Sequence, residues 1–198
     1  IYNGDDEKTV KAVKLSGAKK LITFGFKPEN DWHAENIGFK RGAFPYFDLI
    51  HKGEFVGKVE LNVPGIHNVL NALAAFAAAD FAGADMQKCL DSVKQFGGAG
   101  RRFEILGEYN DITIADDYAH HPAELKVTLT AAKEMEFNRV WAVFQPFTFS
   151  RTYMLLEDFA EVLQIADKVV LTEIMGSREV NTYDIHTYQL AEKIPGCV

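Results

Sequence analysis

Three short stretches of this chain concentrate side chains that move protons or hold anions. They are Asp116-Asp117-Tyr118-Ala119-His120-His121, Pro146-Phe147-Thr148-Phe149-Ser150-Arg151 and Glu173-Ile174-Met175-Gly176-Ser177-Arg178. Each follows a run with strand character. Ligands of an open parallel sheet bind beyond the carboxyl ends of its strands, so the three stretches are expected to share one sheet edge. Carboxylates, imidazoles and guanidiniums gathered there suit anionic substrates and proton handling. Asp116, Asp117, His120 and His121 could instead form a metal site, although adjacent histidines rarely both face one ion. They could also be a solvated helix N-terminus with acidic caps. Arg151 near a helix start works against the helix dipole, which favours a ligand role for it. Arg178 beside Glu179 reads as a surface ion pair.

A second cluster is His67, Asn68 and Asn71. Spacings of three and four place them on adjacent faces of one helical turn. Open backbone N–H groups at a helix start suit an anion or a base edge, while Asn there is also a common cap. Arg101 and Arg102 could reach a phosphate or ribose bidentately, or pair locally with Glu104. Gly53 to Val59 resembles a phosphate loop only faintly. It has three residues between its glycines where that loop has four, and no Ser or Thr after Lys58. We therefore read it as strand.

The elements that must carry these residues follow from periodicity. Asp5 and Asp6 start a helix with a Val10, Val13, Leu15 stripe that Gly17 stops. Strands are expected over Leu21 to Phe26, Trp32 to Phe39, Ala43 to His51 and Phe55 to Val63, with Gly42 and Gly53 in tight antiparallel turns. Phe47, Leu49, Phe55, Val59 and Leu61 alternate as a half-buried sheet face does. Helices follow over His67 to Phe81, with Leu70, Leu73, Ala74, Ala77 and Phe81 inward, and over Met86 to Phe96. Gly97-Gly98-Ala99-Gly100 is the expected domain boundary and hinge. Beyond it, strands at Phe103 to Gly107, Asp111 to Asp116, Val140 to Gln145 and Lys168 to Thr172 alternate with helices at Pro122 to Met135, Ser150 to Ile165 and His186 to Lys193. That order predicts an α/β fold with a mainly parallel sheet and right-handed crossovers.

Composition narrows the classes. The 198 residues are 47% hydrophobic and 25% charged, which excludes disordered, collagen-like and disulfide-scaffold chains. A net charge of −7 argues against nonspecific nucleic-acid binding. Two cysteines, Cys89 and Cys197, cannot staple a chain of this length and suggest a reducing compartment. The apolar stretch from Leu73 to Ala84 is too short for a bilayer, and no leader pattern opens the chain. Its start at Ile1 suggests a piece of something longer.

Five motifs occur in order: Pro-Gly-Ile-His-Asn-Val-Leu-Asn-Ala-Leu-Ala-Ala (64–75), Gly-Arg-Arg-Phe-Glu (100–104), Asp-Asp-Tyr-Ala-His-His-Pro-Ala-Glu (116–124), Phe-Gln-Pro-Phe-Thr-Phe-Ser-Arg-Thr (144–152) and Ser-Arg-Glu (177–179). Through them, and over essentially its whole length, the chain resembles the Mur ligase family. The Asp-Asp-Tyr-x-His-His-Pro run is the mark of the family's alanine-adding branch. The resemblance implies a truncated Rossmann-like C-terminal ligase domain over 100–198. Before it, over 1–99, it implies the C-terminal part of a central ATP-binding α/β domain that holds the antiparallel strands.

The reaction implied is ATP-dependent joining of L-alanine to UDP-N-acetylmuramate through an acyl phosphate. It serves peptidoglycan precursor synthesis in the cytoplasm, with Mg²⁺ ligands expected mainly outside this chain. By resemblance, His67, Asn68, Asn71, Arg102 and Asp117 face ATP, and Tyr118, His121 and Arg151 surround the amino acid. Asp117, His121 and Arg151 are the catalytic set. Family members often carry His where this chain has Phe147, and many carry Arg where it has Thr148, which leaves Arg151 for the alanine carboxylate. With the family's phosphate loop outside these residues, the chain alone is expected to be inactive. The alternatives are a non-catalytic nucleotide-binding module, a related amino-acid ligase with another acceptor, and a metallohydrolase built on Asp116, Asp117, His120 and His121.

Overall fold

Asp6 and Gly17 bound the first helix as their chemistry dictates. Asp6 caps α1 (Glu7–Ser16) by accepting the Thr9 N–H, and Gly17 ends it in the left-handed conformation. The computed structural model describes residues 1–198, which divide into two compact units, Ile1–Gly98 and Ala99–Val198. No helix in either is long and apolar enough to cross a membrane.

The first unit is a five-stranded sheet with helices packed on it. Its strands are β1 (Tyr2–Asn3), β2 (Thr23–Gly25), β3 (Trp32–Lys40), β4 (Phe44–His51) and β5 (Glu54–Glu60), in that spatial order. β1 pairs parallel with β2 and β2 parallel with β3, whereas β3, β4 and β5 run antiparallel. Sequence periodicity misses β1, because two residues carry no alternation. β4 and β5 meet through Lys52-Gly53, both at positive φ, the two-residue turn that matches strand twist.

Helices α2 (His67–Phe81) and α3 (Met86–Val93) complete this core. Trp32, Phe47, Leu49, Val59 and Leu61 of the sheet region pack with Val69, Leu73, Phe76 and Ala77 of α2 and Leu90 of α3. The larger aliphatic and aromatic side chains among them each contribute roughly 1.5–3 kcal/mol on burial. Three expectations shift. Leu15 of α1 is exposed, so that helix buries no stripe. Phe55 is exposed because the β4–β5 register shifts at Leu49/Ile50 and turns Phe55 away from the face of Val59. In α2 the buried stripe is Val69, Ala72, Leu73, Phe76 and Ala77, and Phe81 is exposed. An alanine-rich helix is apolar nearly all round, so the larger Val69 and Phe76 decide its inward face. α3 ends at Val93, short of the expected Phe96.

The second unit comprises β6 (Glu104–Tyr109), β7 (Ile112–Asp116), α4 (Pro122–Glu134), β8 (Trp141–Phe144), α5 (Phe149–Met154), α6 (Leu156–Leu163), β9 (Lys168–Leu171) and α7 (Thr187–Ala191). β8 and β9 are parallel, and a parallel bridge between Phe147 and Met175 continues their alignment into the loops. Leu125 and Leu129 of α4, Phe144 of β8, Phe159 and Leu163 of α6, Val169 of β9 and Leu190 of α7 form the core.

Two placements differ from expectation here. β6 and β7 lie outside the β8–β9 pairing and form their own antiparallel hairpin, because Asn110 and Asp111 both adopt positive φ and close a two-residue turn. The helix expected over Ser150 to Ile165 is two helices, broken at Leu155, whose φ of −115° and ψ of 25° leave the helical region. The break separates a segment that buries only Thr152 from one that buries Phe159, Ala160, Val162 and Leu163.

Candidate functional site

Beyond β7 the chain enters a loop that is fastened by its own acidic residues. Asp117 accepts the Phe103 N–H at 2.8 Å on one carboxylate oxygen and the Ala119 N–H at 2.8 Å on the other. Asp116 takes Nε of Arg101 at 2.9 Å, and the Arg101 guanidinium lies 4.8 Å from the centre of the Tyr118 ring. Glu104 is therefore not the side-chain partner of Arg101; it accepts the Arg101 backbone N–H at 2.7 Å. The Tyr118 ring is half exposed and meets His120 edge-on at 5.3 Å.

The two histidines have different duties. His120 Nδ1 sits 2.9 Å from the Tyr118 carbonyl, and its backbone N–H donates to Glu124 at 3.0 Å. That amide is the main reason the Glu124 carboxyl is held below the usual glutamate range. His121 caps α4, its Nδ1 accepting the Ala123 N–H at 3.2 Å, with Pro122 in the first turn. The expected acidic cap is thus an imidazole. The hydrogen-bond pattern assigns the neutral ring its proton on Nε2, leaving an exposed donor. Asp116, Asp117, His120 and His121 do not converge as metal ligands: no three His, Cys, Asp or Glu side chains of the chain are grouped to hold an ion.

The loops after β8 and β9 close on this one. Arg151 is half-buried and donates Nη1 to the His120 carbonyl at 3.2 Å. The Phe147 ring lies 6.2 Å from the His120 ring. Thr148 and Met175 pair through their backbones, as do Met175 and Pro146. Glu179 accepts both the Ser150 N–H at 2.9 Å and its hydroxyl at 2.5 Å, so the expected Arg178–Glu179 ion pair is absent. The Ser150 hydroxyl is the main influence holding the Glu179 carboxyl low, followed by the Ser150 amide. Asp117, Tyr118, His121 and Arg151 are thereby brought into one connected set of loops.

The remaining expected residues divide between the units. His67, Asn68 and Asn71 open α2 in the first unit. The Asn68 side-chain amide donates to the Pro64 carbonyl at 2.8 Å, and Asn71 donates to Asn68 at 2.9 Å, so the pair stiffens the turn that leads into the helix. No side chain caps α2; its cap position is Ile66. Arg102 lies in the second unit, exposed, with its charge felt at Glu124.

Comparison with known proteins adds the lineage. Residues 1–79 match the Mur ligase middle domain, and residues 101–195 match the Mur ligase glutamate ligase domain. The chain belongs to the Mur ligase family. Among relatives, the UDP-N-acetylmuramate–L-alanine ligase of Agathobacter rectalis is 45% identical over 97% of this chain and 42% of its own length. The corresponding ligase of Caldanaerobacter subterraneus subsp. tengcongensis is 40% identical over 96% of this chain and 41% of its own. The crystal structure of UDP-N-acetylmuramate–alanine ligase MurC from Thermotoga maritima superposes with a TM-score of 0.70 at 32% identity, covering 87% of this chain and 36% of that one. This Mur ligase chain therefore spans about two fifths of the length of the curated relatives it matches.

Sequence reasoning missed Glu179 as the partner of Ser150, and it missed Glu124 as the partner of the His120 amide. Glu124 had a readable signal, three positions past the His121 cap, where an acidic side chain commonly reaches back toward the cap. Glu179 had none, because its partner lies 29 residues away.

Proposed function

We propose that this chain supplies the amino-acid side and part of the nucleotide side of an ATP-dependent ligase that joins L-alanine to UDP-N-acetylmuramate. The observation that carries this reading is the 40–45% identity, over nearly the whole chain, to ligases of that name. In the proposed reaction the muramate carboxylate takes the γ-phosphoryl group of ATP and becomes an acyl phosphate. The alanine amine attacks that carbonyl, and the tetrahedral adduct expels phosphate. Arg151 spends one N–H on the His120 carbonyl and keeps the rest of its planar fork for the alanine carboxylate. Tyr118 and His121 flank the amine, and the exposed Nε2–H of His121 suits an anionic group, since its Nδ1 lone pair is engaged at the helix cap. A proton on Nδ1 would break that cap, so we assign His121 as a donor and not as the general base.

His67, Asn68 and Asn71 are assigned to the adenine, and Arg102 and Asp117 to the ribose and phosphates. Asp117 does this while fastening two backbone amides, each carboxylate oxygen retaining a lone pair. No group of three His, Cys, Asp or Glu side chains in this chain is placed to hold the magnesium that the family implies. Gly97-Gly98-Ala99-Gly100 is the proposed hinge, with water exclusion from the acyl phosphate as its purpose.

Two measurements test the reading. In the active ligase, Arg151→Ala is expected to raise KM for L-alanine about 100-fold, more than it lowers kcat, because one partner of a charge pair is lost. An unchanged KM would remove Arg151 from the amino-acid site. The 198-residue chain alone, which contains no Gly-x-x-x-x-Gly-Lys-Ser/Thr phosphate loop, is expected to release no phosphate from ATP with alanine; measurable release would refute that part.

A further inference from the structure

The six-residue α5 begins without a cap of its own. Thr148 stands at its cap position with φ 67° and offers no side-chain bond to the first turn. So short a helix does not hold itself together in water, and its first-turn N–H groups need acceptors. Glu179, from the loop after β9, supplies one: both of its oxygens are engaged by Ser150, one by the amide and one by the hydroxyl. The same loop presses close at Gly176, where a Cβ would lie 2.4 Å from the Phe149 ring. Arg151 follows Ser150 directly. The Arg151 charge is felt at Glu179, but the two make no ion pair, and the guanidinium reaches the His120 carbonyl instead.

We propose that Glu179 is a positioning residue for Arg151: its grip on Ser150 fixes the backbone from which the guanidinium spans to His120. The functional consequence rests on the assignment of Arg151 to the amino-acid carboxylate. A fork held in place before binding loses less freedom when the carboxylate arrives. In this role Glu179 acts through Ser150 and not by contact with the amino acid.

Hydrogen exchange followed by NMR on the 198-residue chain tests this, with L-alanine titration as a second readout. Glu179→Ala is expected to speed exchange of the Ser150 amide and the Arg151 guanidinium protons about tenfold, the equivalent of one lost cap. Amides of α4 and α6 should keep their protection, which general loosening of the fold would not allow. Glu179→Gln, which keeps one acceptor oxygen and the side-chain shape, should restore much of the protection. Unchanged exchange at Ser150 and Arg151 in Glu179→Ala, or equal loosening throughout the unit, would overturn the proposal. If Glu179→Ala does not fold, Ser150→Ala, which removes only the hydroxyl bond, decides the matter: partial loosening at Arg151 supports the grip and none refutes it. Alanine-induced shifts should weaken at least threefold in Glu179→Ala and vanish in Arg151→Ala. Shifts that persist in Arg151→Ala, or none in the parent chain, count against the amino-acid assignment, and the exchange data still decide the role of Glu179.

Discussion

Asp117 illustrates how much backbone one carboxylate can hold. It anchors the backbone of Phe103 and of Ala119, so Asp117→Ala leaves two amides without their acceptor. We expect a loss of about 1–3 kcal/mol, read as a lower melting temperature of the second unit. Asp117→Asn, which keeps one acceptor oxygen, should lose less. Glu124 gives a pH signature. The His120 amide lowers its folded pKa, so its stabilisation is complete above the ordinary glutamate value and is lost as pH falls through the lowered one. Glu124→Gln should flatten the decline in melting temperature between about pH 5 and pH 3. An identical slope in the two proteins would contradict this. At this scale the sequence shows residue types well and partners poorly. The Asp117–Ala119 bond and the Asn68–Asn71 pair are local and could be sought from spacing, whereas Asp117 and Phe103, like Glu179 and Ser150, meet only after the chain has folded.

Among the elements, several helix boundaries were legible because caps are local: Asp6, Gly17 and Pro122 all mark boundaries found in the structure. Helix faces were less so, as α2 shows, because alanine does not distinguish inside from outside. The β6–β7 hairpin escaped a reading based on strand–helix alternation, since Asn110-Asp111 lacks the usual glycine. That turn yields a prediction. Asp111 sits at φ 62°, where glycine is relaxed, and Asp111→Gly should stabilise the hairpin by about 0.5–1 kcal/mol in thermal melts. At Gly57 the sign reverses: a Cβ would lie 2.6 Å from Leu90 Cδ1. Gly57→Ala should displace α3 from β5 and destabilise the first unit by about 1–3 kcal/mol. Equal melting temperatures would show that Leu90 has room to yield.

For the molecule as a whole, the exposed residues Gly97, Ala99 and Gly100 lie at the boundary between units, with Arg101 and Arg102 just beyond. Limited trypsin digestion is expected to cut first at those arginines and leave two protected pieces; first cleavage elsewhere would contradict that. The hairpin also governs handling. Ile105, Leu106, Tyr109, Ile112 and Ile114 are all exposed on its two strands, and two strands alone cannot hide such side chains from one another and from solvent. Colloidal behaviour then rests on mutual repulsion of molecules carrying a net charge of −7. Concentrated, salty or mildly acidic solutions weaken that repulsion, and turbidity should begin there, with the oily ribbon as the point of adhesion.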